Sequence, residues 1–342
     1  MSSRIFSLPG SSASRLDGLL AAASWPIDPG RELRALVDAG CDSLPLPGSG
    51  GTLDRWRAFA RVGAADLALA KVFEGHTDAL AILAELGASP LAPRGSRWGV
   101  WCAEPPRNRV AIATRPGGGV TLHGVKAWCS GAACLTHALV SGWDGEGRPC
   151  LAAVSLRQAG VTLVDAGWKA AGMGAAATVN VRFDRTPAIA VGAPNAYVDR
   201  PGFLHGGAGV AACWFGGVTR IAQRLRAGAP SDPHRLAHLG AVDIAVAQAR
   251  AMLRDAADAI DARPEDRCAL ATARARLATE AAAEEVLRRA GRALGAGPLC
   301  HEAAFAQAVA DLPLFIRQSH AERDQAAHGA IVAGLAEPPW AL

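Results

Sequence analysis

What is scarce in this sequence narrows it before any motif is read. There is one tyrosine against nine tryptophans, a balance that reads as filling of core and interface and not as a ligand cage. The eight cysteines (Cys41, Cys102, Cys129, Cys134, Cys150, Cys213, Cys268 and Cys300) form no Cys-x-x-Cys pair and no regular ladder. Buried, reduced thiols are therefore expected. No run of like charge stands out among 35 basic and 31 acidic residues, so neither a nucleic-acid nor a membrane surface is implied. The formal charge of +4 is only mildly favourable to an anionic substrate. No uncharged apolar stretch reaches the roughly 20 residues that a membrane span needs. The opening residues reach Leu8-Pro9-Gly10 without a signal-type apolar segment. A soluble, cytoplasmic protein is the expectation. No internal repeat or low-complexity tract is evident.

What is present is a globular composition, half apolar and 19% charged, in three successive textures. Residues 1–92 read as a helical domain, with helices over Arg55–Gly63 and Ala64–Leu86 that stop at Gly87, Pro90 and Pro93. Gly75, between Glu74 and His76, interrupts the second helix at a cost of about 1 kcal/mol. Close helix packing is the reading adopted for it, with a substrate contact as the alternative. Residues 93–196 read as a β-domain of short runs: Trp98–Ala103, Val110–Thr114, Val120–Trp128, Ala138–Trp143, Leu151–Leu156, Val161–Val164 and Thr178–Phe183. Pro116–Gly119 and Asp144–Gly147 read as hairpin connections. Strands without intervening helices predict an antiparallel barrel or sandwich. Residues 197–342 return to helical spacing. Leu239, Val242, Val246, Ala249, Leu253, Ala256 and Ile260 form a bundle seam, and a helix over Glu265–Leu294 stops at Gly295-Ala296-Gly297-Pro298.

Several segments in this order resemble the acyl-CoA dehydrogenase superfamily. Trp101-Cys102-Ala103-Glu104-Pro105 is similar to a strand ending in Thr-Glu-Pro, and Leu122–Gly131 to an Asn-Gly-x-Lys-x-Trp-Ile-Thr-Asn element. Gly172-Met173-Gly174, Thr178 and Val181-Arg182-Phe183-Asp184 resemble its Gly-Met-Arg and Val-x-Phe-Asp segments. Ala293–Gly297 resembles a glycine-rich turn. The resemblance implies an α+β fold, with an N-terminal helical domain, a central antiparallel β-barrel or sandwich and a C-terminal four-helix bundle. It further implies FAD as cofactor, an acyl thioester as substrate and a homodimer or homotetramer. Trp128 offers a flat face to the flavin and Ser130, two residues on along one face of a strand, a hydroxyl. Cys102, Ala103, Arg292 and Gly295 are the other cofactor-binding candidates.

The chain departs from that pattern where the chemistry sits. Counting from Asp311, the segment that carries the catalytic Glu in many members reads Gln318-Ser319-His320-Ala321, with Glu322 next. His320 and Glu322 are the catalytic candidates, since a carboxylate or an imidazole can take the proton that the reaction moves. His205–Gly209 offers no carboxylate. The Gly-Ser-Asp segment is missing at Pro106-Arg107-Asn108-Arg109, and the Arg-x-x-Phe-Gly segment is shortened to Arg226–Pro230. His320, Asp324 and His328 are spaced to share a helix face, but no metal is expected there. Three functions stay open: an acyl-thioester dehydrogenase, a flavin monooxygenase or oxidase, and a non-catalytic relative.

Overall fold

The computed structural model describes residues 10–105, 108–165, 167–228 and 231–340. Leu8, Pro9, Pro106, Arg107, Ala229 and Pro230, on which part of the sequence reading rests, lie outside them. The chain packs as two compact units. The β-unit takes in Ser14–Leu44 and Ala68–Phe203, and the helical unit takes in Pro45–Leu67, Leu204 onward and the residues up to Ala13. Residues 1–92, read as one helical domain, are thus shared between the two units.

The first helices are α1 (Gly10–Ala22), α2 (Pro29–Asp38), α3 (Thr52–Ala65) and α4 (Leu67–Glu85). Asp28 caps α2 by accepting from the amides of Gly30 and Arg31, and Pro29 occupies the first turn, where its missing N–H costs nothing. The break between α3 and α4 falls at Asp66, whose backbone is extended.

Seven strands follow: β1 (Trp98–Trp101), β2 (Val110–Thr114), β3 (Val120–Cys129), β4 (His137–Trp143), β5 (Pro149–Ser155), β6 (Val161–Val164) and β7 (Val179–Ala190). In β7, Val181 and Phe183 are buried and Arg182 is exposed, the alternation that its sequence predicts. The strands β4, β2, β3, β7 and β5 close back onto β4 as a five-stranded barrel, with β1 added to β4 and β6 to β7. Pro116–Gly119 and Asp144–Gly147 join the antiparallel pairs β2–β3 and β4–β5. The purely antiparallel expectation is corrected at β4, which runs parallel to both β1 and β2. The reason is local: β4 is entered from the 130–136 turn, where Thr136 and His137 donate to the Arg97 carbonyl beside the start of β1.

α4 lies on this β-unit through a core of Ala79, Ile82 and Leu83 with Trp98, Leu139 and Leu151. Each large side chain fully buried there contributes roughly 1.5–3 kcal/mol. That packing sets the distance between α4 and β1.

A short helix α5 (Ala196–Asp199) leads to α6 (Gly202–Ala227), α7 (Pro233–Ala262), α8 (Ala269–Leu294), α9 (Ala296–His301), α10 (Ala303–Phe315) and α11 (Glu322–Ala333). The helical C-terminal region is therefore as expected, and α8 ends where Gly295 takes φ +67°. α7 packs along α8, with Val242, Ala249, Leu253, Ala256 and Ile260 buried. By length and composition alone α7 is apolar enough to cross a membrane. Gly63 on α3 and Gly216 on α6 let those two helices touch backbone to backbone, since a Cβ at either would overlap the facing carbonyl of Cys213 or Ala60.

Candidate cofactor site

The site begins with a fault in a strand. The register of β3 against β7 breaks between Lys126 and Cys129, so one residue is in excess there. Trp128 absorbs it with φ +62°. A left-handed backbone costs a non-glycine residue roughly 1–2 kcal/mol. The bulge turns the indole outward, 59% exposed, between buried Ala127 and Cys129. Ser130 does not share a strand face with Trp128, as the spacing had predicted. It lies past the end of β3, and the bulge is what brings both residues to one place.

That place is a small open pocket in the β-unit, about 20 Å³ in volume. Trp128, Ser130 and Leu135 line it, with β1 from Trp98 to Trp101 and with Lys71, Val72 and Gly75 of α4. The Trp101 Nε1–H donates to the Ser130 carbonyl at 3.2 Å, and the hydroxyls of Ser130 and Thr178 are 2.9 Å apart. Gly75 faces this space. A Cβ there would meet nothing nearer than the Val100 amide nitrogen at 4.0 Å, so the glycine is not explained by close helix packing. It widens the pocket wall instead. The next residue, His76, is fully buried, with Nε2 3.2 Å from Asp42 Oδ2 and Nδ1 accepting from the Trp98 amide at 3.2 Å. These two contacts fix the tautomer and tie α4 to the start of β1.

A loop over residues 167–178 packs against the bulge and the residues after it. Trp168 stands at 84° to Trp128, with ring centroids 6.1 Å apart, and donates through Nε1 to the Gly172 carbonyl at 3.1 Å. Met173 (φ +57°) and Ala177 (φ +46°) are also left-handed, and the Ala176 carbonyl accepts from the Gly131 amide at 2.8 Å. Three of the seven left-handed non-glycine residues described thus lie in the bulge and the loop packed against it. Strain of this kind persists where the surroundings enforce it, commonly at ligand sites.

Two of the segments that carry the resemblance also serve each other. Lys126 is completely buried, and its Nζ lies 2.5 Å from Glu104 Oε1, 2.9 Å from the Ser141 carbonyl and 2.8 Å from Ser141 Oγ. All three of its donors are used. Ser141 Oγ also donates to Glu104, and the Trp143 Nε1–H reaches the other carboxylate oxygen at 3.2 Å. This network holds β3, β4 and the end of β1 together directly behind the Trp128 bulge. Burial pushes the Cys129 thiol up to about 12 and raises Cys102 as well, against the pull of the Lys126 charge. Both stay protonated and unreactive near neutral pH.

The structure places the remaining candidates as follows. Cys102 packs against the α4 core beside Tyr197, and exposed Ala103 does not line the pocket. Any role for either in holding a ring would pass through its backbone. Arg292 and Gly295 are exposed at the end of α8, in the helical unit. His320 and Glu322 are exposed at the start of α11. His320 precedes that helix, because Ala321 takes φ +46°, so His320, Asp324 and His328 do not share a helix face. Asp324 instead accepts from the His320 amide at 3.0 Å and lies 3.6 Å from its Nδ1. Among the described residues no group of His, Cys, Asp and Glu could hold a metal ion.

Sequence reasoning missed Glu280, a buried carboxylate on α8. It accepts from Ser319 Oγ at 2.6 Å and from Arg317 at 2.8 Å. It also missed Trp168, Thr178 and Lys71 as site residues. Thr178 stood inside a quoted segment, but a hydroxyl opposite Ser130 is visible only once β3 and β7 pair.

With this geometry in view, the fold can be classed: it is the acyl-CoA dehydrogenase fold. No family model and no curated protein sequence matches the chain. Solved structures do. Butyryl-CoA dehydrogenase from Megasphaera elsdenii superposes with a TM-score of 0.80 at 13% identity, over 96% of this chain and 99% of that one. KijD3, in complex with FMN and a dTDP-linked amino keto sugar, gives 0.79 at 20% identity over 94% and 91%. TdsC from Paenibacillus sp. A11-2, a dibenzothiophene monooxygenase, gives 0.78 at 18% identity over 93% and 94% in its complex with FMN and indole.

Proposed function

We propose that the chain is a flavin-dependent oxidoreductase whose isoalloxazine ring is received at Trp128. The observation that carries this is the strained bulge, which keeps a large flat indole exposed at a pocket when burial would be cheaper. The residues present fit a planar ring. Trp128 would stack against it, the Ser130–Thr178 hydroxyl pair would donate to a ring oxygen or nitrogen, and Gly75 leaves the space that any larger side chain would fill. The flavin supplies electron transfer that no side chain of this chain can provide. FMN in KijD3 and TdsC supports a flavin here and widens the expected FAD to either form.

For the substrate, an acyl thioester is the first reading and Glu322 the carboxylate that would take its α-proton. The second reading is a monooxygenase or oxidase, with His320 as acid or base. One observation favours it: the Gln318–Ala321 segment has no carboxylate of its own, and buried Glu280 is engaged by Arg317 and Ser319. His320 by contrast stands exposed, with Nδ1 3.6 Å from Asp324 Oδ1. A homodimer or homotetramer is proposed for the assembly.

The deciding experiment is the visible spectrum of the purified protein with and without added FMN or FAD. A bound flavin that bleaches anaerobically on adding an acyl thioester supports dehydrogenation. Oxygen consumption with supplied reduced flavin, lost in His320→Ala, supports the second reading. A colourless protein that takes up neither flavin leaves the non-catalytic relative.

A further inference from the structure

Trp168 belongs to none of the segments that carry the resemblance, and the proposed function does not use it. It is half-buried on the 167–178 loop, and its ring meets the exposed ring of Trp128. A tryptophan recruited as core filling would be buried. The loop that carries it is also unusually well fixed. Met173 and Ala176 are buried, the Ala176 carbonyl accepts from the Gly131 amide at 2.8 Å, and Thr178 meets the Ser130 hydroxyl at 2.9 Å. These ties attach the loop to the chain just past the Trp128 bulge. The Nε1–H of Trp168 is held inside the same loop by the Gly172 carbonyl, so the ring itself cannot turn freely.

We propose that Trp168 is a positioning residue for the flavin site: it holds the exposed Trp128 indole in one orientation, so that a flat ring always finds the same face. The proposal rests on the reading of Trp128 as the flavin platform. Its physical content is simple. An exposed side chain on a left-handed bulge has several rotamers open to it, and ordering it on binding would cost affinity. A right-angled partner at 6.1 Å, well within the range of edge-to-face aromatic pairs, removes that freedom before the ligand arrives. The two left-handed residues of the loop are then understood as well, because they bend it so that Trp168 reaches the bulge.

The test compares wild type with Trp168→Ala, Trp168→Phe and Trp128→Phe. Two crossed indoles at this distance couple, which gives paired bands of opposite sign in circular dichroism of the ligand-free protein. Binding is then followed by titrating FMN and FAD against each variant through flavin fluorescence. Trp168→Ala is expected to lose the paired bands and to bind flavin about tenfold more weakly, while Trp168→Phe binds within about twofold of wild type. Trp128→Phe should lose the same bands, which assigns them to this pair. If Trp168→Ala keeps the bands, or binds as tightly as wild type, the positioning role is overturned. Should the alanine variant fail to fold, Trp168→Leu keeps apolar bulk in the loop and is held to the same two outcomes. A wild type that keeps the bands but binds neither flavin overturns the flavin reading, and this proposal with it. A wild type that binds beside an equally tight Trp168→Ala overturns this proposal alone.

Discussion

The two units of this chain deal with polar groups in opposite ways. In the β-unit, Lys126 is buried and pairs with the partly exposed Glu104 at the barrel wall, and an aromatic, strained and open surface lies beside them. In the helical unit, the densest polar stretch of the sequence closes on itself. Arg317 lies 2.8 Å from Glu280 and 2.9 Å from Glu284, Ser319 bonds Glu280, and Asp324 accepts from the His320 amide. Both units carry left-handed backbone, at Trp128 in one and at Ala321 in the other, but to different ends. Ala321 bends a turn whose polar groups are satisfied within the helical unit, whereas Trp128 turns a large exposed ring toward a pocket. Strain that exposes an apolar ring is the better pointer to a site than a crowd of charges.

Substitutions can sharpen or break this contrast. The largest effect is expected at Lys126. Lys126→Met removes three charge-assisted hydrogen bonds, to the partly exposed Glu104 carboxylate and to Ser141, and should destabilise the protein by roughly 3 kcal/mol. Urea unfolding measures this, and adding Glu104→Gln should recover part of the loss. If the single variant is as stable as wild type, the network is not what supports the bulge. In the helical unit, Glu280→Ala removes charge-assisted hydrogen bonds to Arg317 and Ser319 and should cost about 2 kcal/mol by the same measurement.

The bulge itself predicts a gain. Trp128→Gly relieves a left-handed backbone, so the variant should unfold no more easily than wild type and could be about 1 kcal/mol more stable. Flavin affinity should fall at least about tenfold in the same variant. Lower stability together with unchanged affinity would make Trp128 an ordinary structural residue. Gly75→Ala makes the same point more gently. It should stabilise α4 by up to about 1 kcal/mol, because space exists for the methyl group, while narrowing the pocket and weakening ligand binding.

The smallest effect concerns pH. Burial lowers the pKa of His137, which stacks on Trp98 at 4.8 Å. The unfolded chain then binds the proton more readily than the folded one. His137 thus destabilises the fold on acidification: its contribution is fully present above the unfolded value of about 6.5 and is lost as pH falls toward the lowered folded value. Thermal unfolding of His137→Phe should show a shallower decline over that window, and an identical decline would remove His137 as a cause.

Much of the architecture could be read along the chain. The period of two in Val179–Phe183, the glycines at 117–119 and the helix stop at Gly295 each act through neighbours in sequence, and all three appear as the spacing predicts. The parallel placement of β4 could not be read, because it depends on where the 130–136 turn sends the chain and not on any strand's own pattern. The site was legible only in outline. Trp128 and Ser130 were found from their segment, but for a geometric reason that does not hold, since a two-residue period cannot foresee a bulge.

The division follows from the range of the forces. Hydrophobic period, glycine and proline act over a few residues, so by itself the sequence determined helices, strands, hairpins and the resemblance to one fold. Only tertiary structure decided that Lys126 would meet Glu104, that Gly75 would face open space, and that Trp168 would stand against Trp128. Each of these depends on segments distant along the chain coming within a few ångströms, and no local pattern records such a distance.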